Sequence, residues 1–128
     1  MVKKFSLSKR EKLSSRKAIS SLFEAGRSVY APPVRIVFML AEEGPYPVSM
    51  AVSVPKRLFK RAVDRNLLKR RIREAYRLNK QGLYDLLLQS DQKLHLLIQY
   101  TQKEIADFRS IEAGILKGIE KLRQELLK

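Results

Sequence analysis

The sequence predicts an α+β fold, a small mixed β-sheet packed with helices in the order αββαβα, with room for an extra short strand. Three observations carry this. Residues 34–40 and 48–54 alternate side chains with a period of two, residues 94–100 form a longer apolar run, and residues 68–76 and 111–126 repeat apolar residues at helical spacing. Strands and helices in this order, with no internal repeat or low-complexity linker, describe a sheet with helices packed on it. The 128 residues make one domain, 1–128, long enough to bury a core without disulfides or metals.

Taken in order, residues 1–13 are dense in Lys and Arg and show no steady period. They read as an extended basic arm, with Phe5 and Leu7 as apolar anchors. Ser14 or Ser15 is placed to cap a first helix, whose face holds Ile19, Leu22 and Phe23 before Gly26 permits a left-handed stop. Pro32 and Pro33 forbid a helix next. Val34, Ile36, Phe38 and Leu40 then alternate with Arg35, Val37 and Met39, which is a strand. Glu42–Pro47 is turn chemistry, and a second strand follows with Val48, Met50, Val52 and Val54 on one side and Ser49, Ala51 and Ser53 on the other. A loop this short leads us to expect the two strands to pair antiparallel. Pro55 ends the second strand. A helix begins within a few residues and runs to about Asn79, where Gln81-Gly82 is expected to break it. Residues 83–93 fit either a helical turn or a loop. Leu94–Tyr100 reads as a third strand, and Ser110–Leu127 as a helix with Ile111, Ile115, Ile119, Leu122 and Leu126 on one stripe. Gly114 and Gly118 lie in that last helix at a cost of roughly 1 kcal/mol each, which points to close packing against a neighbour.

Composition narrows the function. There is no Cys and a single His, His95, so a disulfide framework and a thiolate metal site are excluded, and nucleophilic catalysis has no support. His95 alternates with apolar neighbours and reads as packed or outward-facing. The N-terminus has cations but no apolar run of the secretory type, and a reducing, cytoplasmic setting fits. The apolar run Ile36–Ala41 is far too short to span a bilayer, so no membrane partner is expected. The formal charge of +14 and pI near 10.3 point to a polyanion. The charge is concentrated: residues 1–17 carry +6, 18–55 carry −1, 56–80 carry +9 and 81–128 carry 0. A merely solubilising surface would spread it.

Residues 56–77 hold ten Lys or Arg against Asp64 and Glu74. At helical spacing, Arg65, Lys69 and Arg73 stack, with Asn66, Arg70 and Arg77 beside them, next to an apolar stripe of Leu68, Ile72, Ala75 and Tyr76. Burying that stripe fixes a cationic arc at the surface, where guanidinium groups take phosphates in bidentate fashion. Like charges at i, i+4 repel by a few tenths of a kcal/mol per pair, and a bound polyanion relieves that. Asp64 and Glu74 are too far apart to share a metal and read as local neutralisers of neighbouring Arg.

The stretch SVPKRLFKRAVDRNLLKRRIREAYR resembles the signature of the bacterial ribonuclease P protein subunit family. That pattern is a strand ending in Lys-Lys or Lys-Arg, then a helix carrying Arg-Asn-Arg-x-Lys-Arg-x-x-Arg-Glu-x-Phe/Tyr-Arg. Here it falls on Lys56-Arg57, Arg65-Asn66, Lys69-Arg70, Arg73-Glu74 and Tyr76-Arg77. KLSSRKAISSLFEAGRSV resembles the family's first helix, and the likeness covers roughly residues 3–79. Two positions depart from it: Leu67 stands where the family has Arg, and Ile19 where it often has an aromatic residue.

The resemblance implies a sandwich like the second domain of ribosomal protein S5, with a left-handed βαβ crossover, an exception to the usual hand. It implies a protein subunit that cleaves nothing alone and contributes no catalytic residue. The RNA subunit, with its own magnesium, removes the 5′ leader of precursor tRNA. By position, Lys56, Arg57, Lys60 and Arg61 would contact phosphate, and Arg70 and Arg77 would join the RNA-binding set. Arg65, Asn66, Lys69 and Arg73 would line the RNA and leader side, with Phe23 and Val37 flooring the leader cleft. The expected partners are the ribonuclease P RNA and precursor tRNA, with no obligate protein partner and no metal or cofactor bound by the protein. The alternative is a general RNA-binding or ribosome-associated module. A metal-dependent nuclease acting alone has no carboxylate cluster to support it.

Overall fold

Alternation along the strands sorts the side chains onto two unlike faces, and the sheet is covered from both. The computed structural model describes residues 12–13, 16–41 and 46–128. In chain order the elements are α1 (Arg16–Ala25), β1 (Arg27–Ala31), β2 (Val34–Ala41), β3 (Val48–Ser53), α2 (Ala62–Asn79), α3 (Gln81–Gln89), β4 (Lys93–Tyr100) and α4 (Phe108–Leu127). The expected cap at Ser14 or Ser15, the anchors Phe5 and Leu7, and most of the 42–47 turn lie outside the described residues.

One face carries Val34, Ile36, Phe38, Val48, Met50, Leu94, Leu96, Ile98 and Tyr100, buried together with Leu68, Ile72 and Tyr76 of α2 and Ile111, Ile115 and Leu122 of α4. On the other face Leu22 of α1 is buried on Val37 and Leu97, with Leu13, Met39 and Ala51 packed around them. The α4 stripe is as expected. Gly114 and Gly118 are close approaches: a Cβ on Gly114 would stand 2.8 Å from the Pro32 carbonyl oxygen, and one on Gly118 2.6 Å from Ile36 Cδ1. Asp107 caps α4 by accepting from the Ser110 amide at 2.8 Å, and this bond lowers the Asp107 pKa.

The extra short strand is β1. It forms a hairpin with β2 across the cis Pro32-Pro33 peptide, Arg27 opposite Phe38 and Ala31 opposite Val34. The expected β2–β3 pairing does not occur. The sheet order is β1-β2-β4-β3, with β4 antiparallel to β2 and parallel to β3. The reason is burial: Leu94, Leu96, Leu97, Ile98 and Tyr100 shun water on both faces, which suits a central strand. Ser49, Ala51 and Ser53 leave β3 a half-polar edge. β3, the helices and β4 thus form a βαβ unit.

Two glycine readings are also corrected. Gly82 sits inside α3, and α2 ends at Lys80, whose ammonium lies 5.0 Å from the Tyr84 ring centroid. Gly26 has no left-handed backbone. A Cβ there would lie 2.4 Å from the Leu22 oxygen and 2.9 Å from Val37 Cγ1, so its missing side chain lets α1 exit against β2.

Candidate nucleic-acid interface

The basic stretch divides into two parts with different backbones. Lys56, Arg57, Lys60 and Arg61 lie in the loop between β3 and α2, not on the helix, and all four are exposed. The loop is shaped locally: the Leu58 and Phe59 amides donate to the Pro55 carbonyl, and Phe59 is buried against Tyr100 with ring centroids 5.7 Å apart. Arg65 closes it. Its Nη1 donates to both the Phe59 and Lys60 carbonyls, each at 2.8 Å. Arg65 therefore holds the basic loop against the first turn of α2, and the sequence spacing that placed it among the phosphate contacts did not show this.

On α2 itself the buried stripe is the one expected: Leu68, Ile72, Ala75 and Tyr76. Asn66, Arg70 and Arg73 are exposed, and with Glu74 and Arg77 they line a shallow hollow on the outer face. Glu74 is bonded to Arg77; the hydrogen bond lowers the Glu74 pKa and raises that of Arg77. Asp64 lies 4.0 Å from Arg61. Both acids are the local neutralisers expected. Lys69, Arg70 and Arg73 have no acidic partner among the described residues. Arg71 turns away, its Nη1 donating to the Ala106 carbonyl at 2.6 Å and tying α2 to the segment before α4.

A second concavity joins the first. Lys12, Leu13, Ile19, Met50, Ala51, Val52 and Arg73 line a groove between α1, the edge strand β3 and α2. Arg73 belongs to both hollows, so the groove and the cationic face of α2 are continuous. The end of the basic arm runs along the β3 edge: the Leu13 amide donates to the Met50 carbonyl at 2.6 Å, in a parallel bridge between Lys12 and Met50.

The two apolar residues expected in the cleft fare differently. Phe23 is 55% exposed, one helical turn beyond Ile19 on the same face of α1. Val37 is 5% exposed, sealed under Leu22 and Gly26, so it supports α1 and offers no open floor. Ile19, Lys12 and Leu13 line the groove instead. The signal for them was present in the 3.6-residue period of α1 and in the Lys-Leu pair just before it.

His95 is half-buried in β4 beside Lys17, Ser21 and Met39; its Nδ1 is buried with no hydrogen-bond partner, and burial lowers its pKa. Among the described residues no group of three or more His, Asp or Glu stands close enough to hold a metal ion, and no helix is long and apolar enough to cross a membrane.

Comparison with known proteins places this surface in context. A family model described as Ribonuclease P matches residues 7–123. The Ribonuclease P protein component of Porphyromonas gingivalis strain W83 is 40% identical over 116 residues, covering 90% of this chain and 85% of that one. That of Chlorobaculum tepidum is 39% identical over 72 residues, covering 53% of this chain and 47% of its own. Among solved structures, the Staphylococcus aureus RNase P protein matches with a TM-score of 0.73 at 18% identity, over 89% of this chain and 96% of that one. The Thermotoga maritima RNase P protein matches with a TM-score of 0.68 at 21% identity, over 88% and 97%. These two likenesses concern the fold.

Proposed function

Since the chain belongs to the ribonuclease P protein family, we propose that it binds the catalytic RNA of that endoribonuclease together with the 5′ leader of precursor tRNA, and assists removal of the leader. The observation that carries this is the continuity at Arg73. A groove opens directly onto a helix face on which Lys69, Arg70 and Arg73 have no acidic partner among the described residues. The groove takes the single-stranded leader, with Ile19 and Phe23 of α1 as apolar contacts for bases and Arg73 on the backbone. The outer face, with Asn66, Lys69 and Arg70, and the loop cations Lys56, Arg57, Lys60 and Arg61 take phosphates of the RNA partner. Bond cleavage and its magnesium ions belong to that RNA; the chain contributes charge and position.

The test is cleavage of a precursor tRNA at low magnesium, with the matching RNA and this chain supplied separately and together. Stimulation that needs both supports the reading. Cleavage by the chain alone overturns it, and RNA binding without stimulation makes the chain a general RNA-binding module.

A further inference from the structure

The loop between β3 and α2 sets four cations, Lys56, Arg57, Lys60 and Arg61, within six residues, and like charges this close drive a free loop to spread. The loop is held at two points instead. Arg65 grips its second half through the Phe59 and Lys60 carbonyls. The first half is a turn: the Leu58 and Phe59 amides both donate to the Pro55 carbonyl, at 3.1 and 3.3 Å, with Lys56 and Arg57 between them. Where those two side chains point is therefore set by where Phe59 is docked.

Phe59 is docked against Tyr100. It is 7% exposed although Arg57 and Lys60 around it are exposed, and its ring is tilted by 57° to that of Tyr100 with centroids 5.7 Å apart. Tilted rings at this distance are a directional contact that an aliphatic pair does not reproduce. Tyr100 is 1% exposed and ends β4, the strand between β2 and β3. Its hydroxyl donates to the Glu104 carbonyl and accepts from the Ala106 amide at 3.0 Å. The Ala106 carbonyl in turn accepts from Arg71 of α2. The ring beneath Phe59 is thus fixed from the sheet on one side and from α2 on the other, while Phe59 itself lies in no helix or strand.

We propose that Tyr100 is a positioning residue for RNA binding: its ring seats Phe59 and so aims Lys56 and Arg57 at phosphates of the RNA partner. This role rests on the reading that the chain binds that RNA. Tyr100 is buried and touches no RNA; its effect passes through Phe59 and the backbone of the turn. A seated turn is ordered before the RNA arrives, so binding does not bear the entropy of ordering it. An unseated turn lets its two cations spread into solvent, and their phosphate contacts are lost.

The experiment measures, as a function of salt, binding of the matching ribonuclease P RNA by the full chain. Phe59→Ala empties the seat and should lower the slope of log K against log salt by about 1.4–1.8, the share of Lys56 and Arg57. Against a Lys56→Gln, Arg57→Gln background it should lower it hardly at all. Tyr100→Leu should give the same pair of results, and where it does not fold, Phe59→Ala, which alters only a loop, decides. Tyr100→Phe keeps the ring but loses both hydroxyl bonds, so its thermal midpoint should fall while the slope stays at the wild-type value. That split separates seating from a general loosening of the fold. If Phe59→Ala keeps the wild-type slope or lowers it equally in both backgrounds, or if Tyr100→Phe lowers it as far as Phe59→Ala does, the seat is overturned. If Lys56→Gln, Arg57→Gln leaves the slope unchanged while Arg70→Gln lowers it, RNA binding stands and the seat is overturned. If neither lowers it, the RNA-binding reading falls and the seat falls with it.

Discussion

Replacing Arg65 separates two roles that a basic residue in this position could have. If its guanidinium acts by holding the Phe59 and Lys60 carbonyls, its removal frees the loop and with it Lys60 and Arg61. If it acts on phosphate directly, its removal deletes one contact. A hydrogen bond from a charged donor is worth about 1.5–3 kcal/mol when shielded. One of these two bonds is exposed, so Arg65→Gln should cost about 1–3 kcal/mol of stability in total. The salt dependence of RNA binding is the sharper measurement, because each lost phosphate contact lowers the slope of log K against log salt by about 0.7 for single strands and 0.9 for duplex. Arg65→Gln should lower the slope by about 1.4–1.8, the share of two loop cations. Against a Lys60→Gln, Arg61→Gln background it should lower it hardly at all, because nothing remains to be misplaced. Arg65→Lys keeps the charge but not the fork that spans two carbonyls, so it should behave like Arg65→Gln. A drop of about 0.7–0.9 in both backgrounds, with Arg65→Lys close to wild type, would refute the clamp and make Arg65 a phosphate contact.

Four further outcomes are expected. Gly114→Ala should destabilise by about 1–3 kcal/mol in urea unfolding despite its better helix propensity, because the new Cβ meets the Pro32 carbonyl at 2.8 Å. Gly82→Ala, whose Cβ would meet only Arg123 Nη1 at 3.6 Å, should be neutral or stabilising by up to about 1 kcal/mol. Burial holds the His95 pKa below its ordinary 6.5, so the unfolded chain takes up a proton more readily than the folded one. Its contribution to stability is therefore complete above about pH 7 and is lost as pH falls through the ordinary value toward the lower folded one; unfolding midpoints for His95→Gln should decline less across that window. Asp107→Ala removes the cap on α4 and should lower stability by about 1 kcal/mol, seen as a lower thermal midpoint with RNA affinity at fixed salt unchanged.

The sequence was most informative where structure is set by near neighbours. The buried stripe Leu68, Ile72, Ala75, Tyr76 and its cationic flank follow from helical period alone, and so do the α4 stripe and the close-packed Gly114 and Gly118. It was least informative where partners are distant along the chain. The βαβ order, with β4 inserted between β2 and β3, depended on which strand had to be buried on both faces. That signal was legible in the strong apolar character of Leu94–Tyr100, interrupted only by His95 and Gln99, but was outweighed by the short β2–β3 loop. At the candidate site, Asn66, Arg70 and Arg73 stand where the period put them. Val37 lies on the face its alternation gives it, but the open cleft floor that the resemblance implied there is covered, because Gly26 lets α1 close over it.

By itself, then, the sequence determined the α+β class, the register of each amphipathic face and the charge on one helix, since these depend on side-chain periods of 2 and 3.6 residues. Only the tertiary structure decided that Arg65 holds carbonyls, that Arg73 joins two hollows and that the Tyr100 ring lies against Phe59. Those outcomes depend on which backbones lie side by side, and residues 41 positions apart, such as Phe59 and Tyr100, carry no mark of that in their spacing.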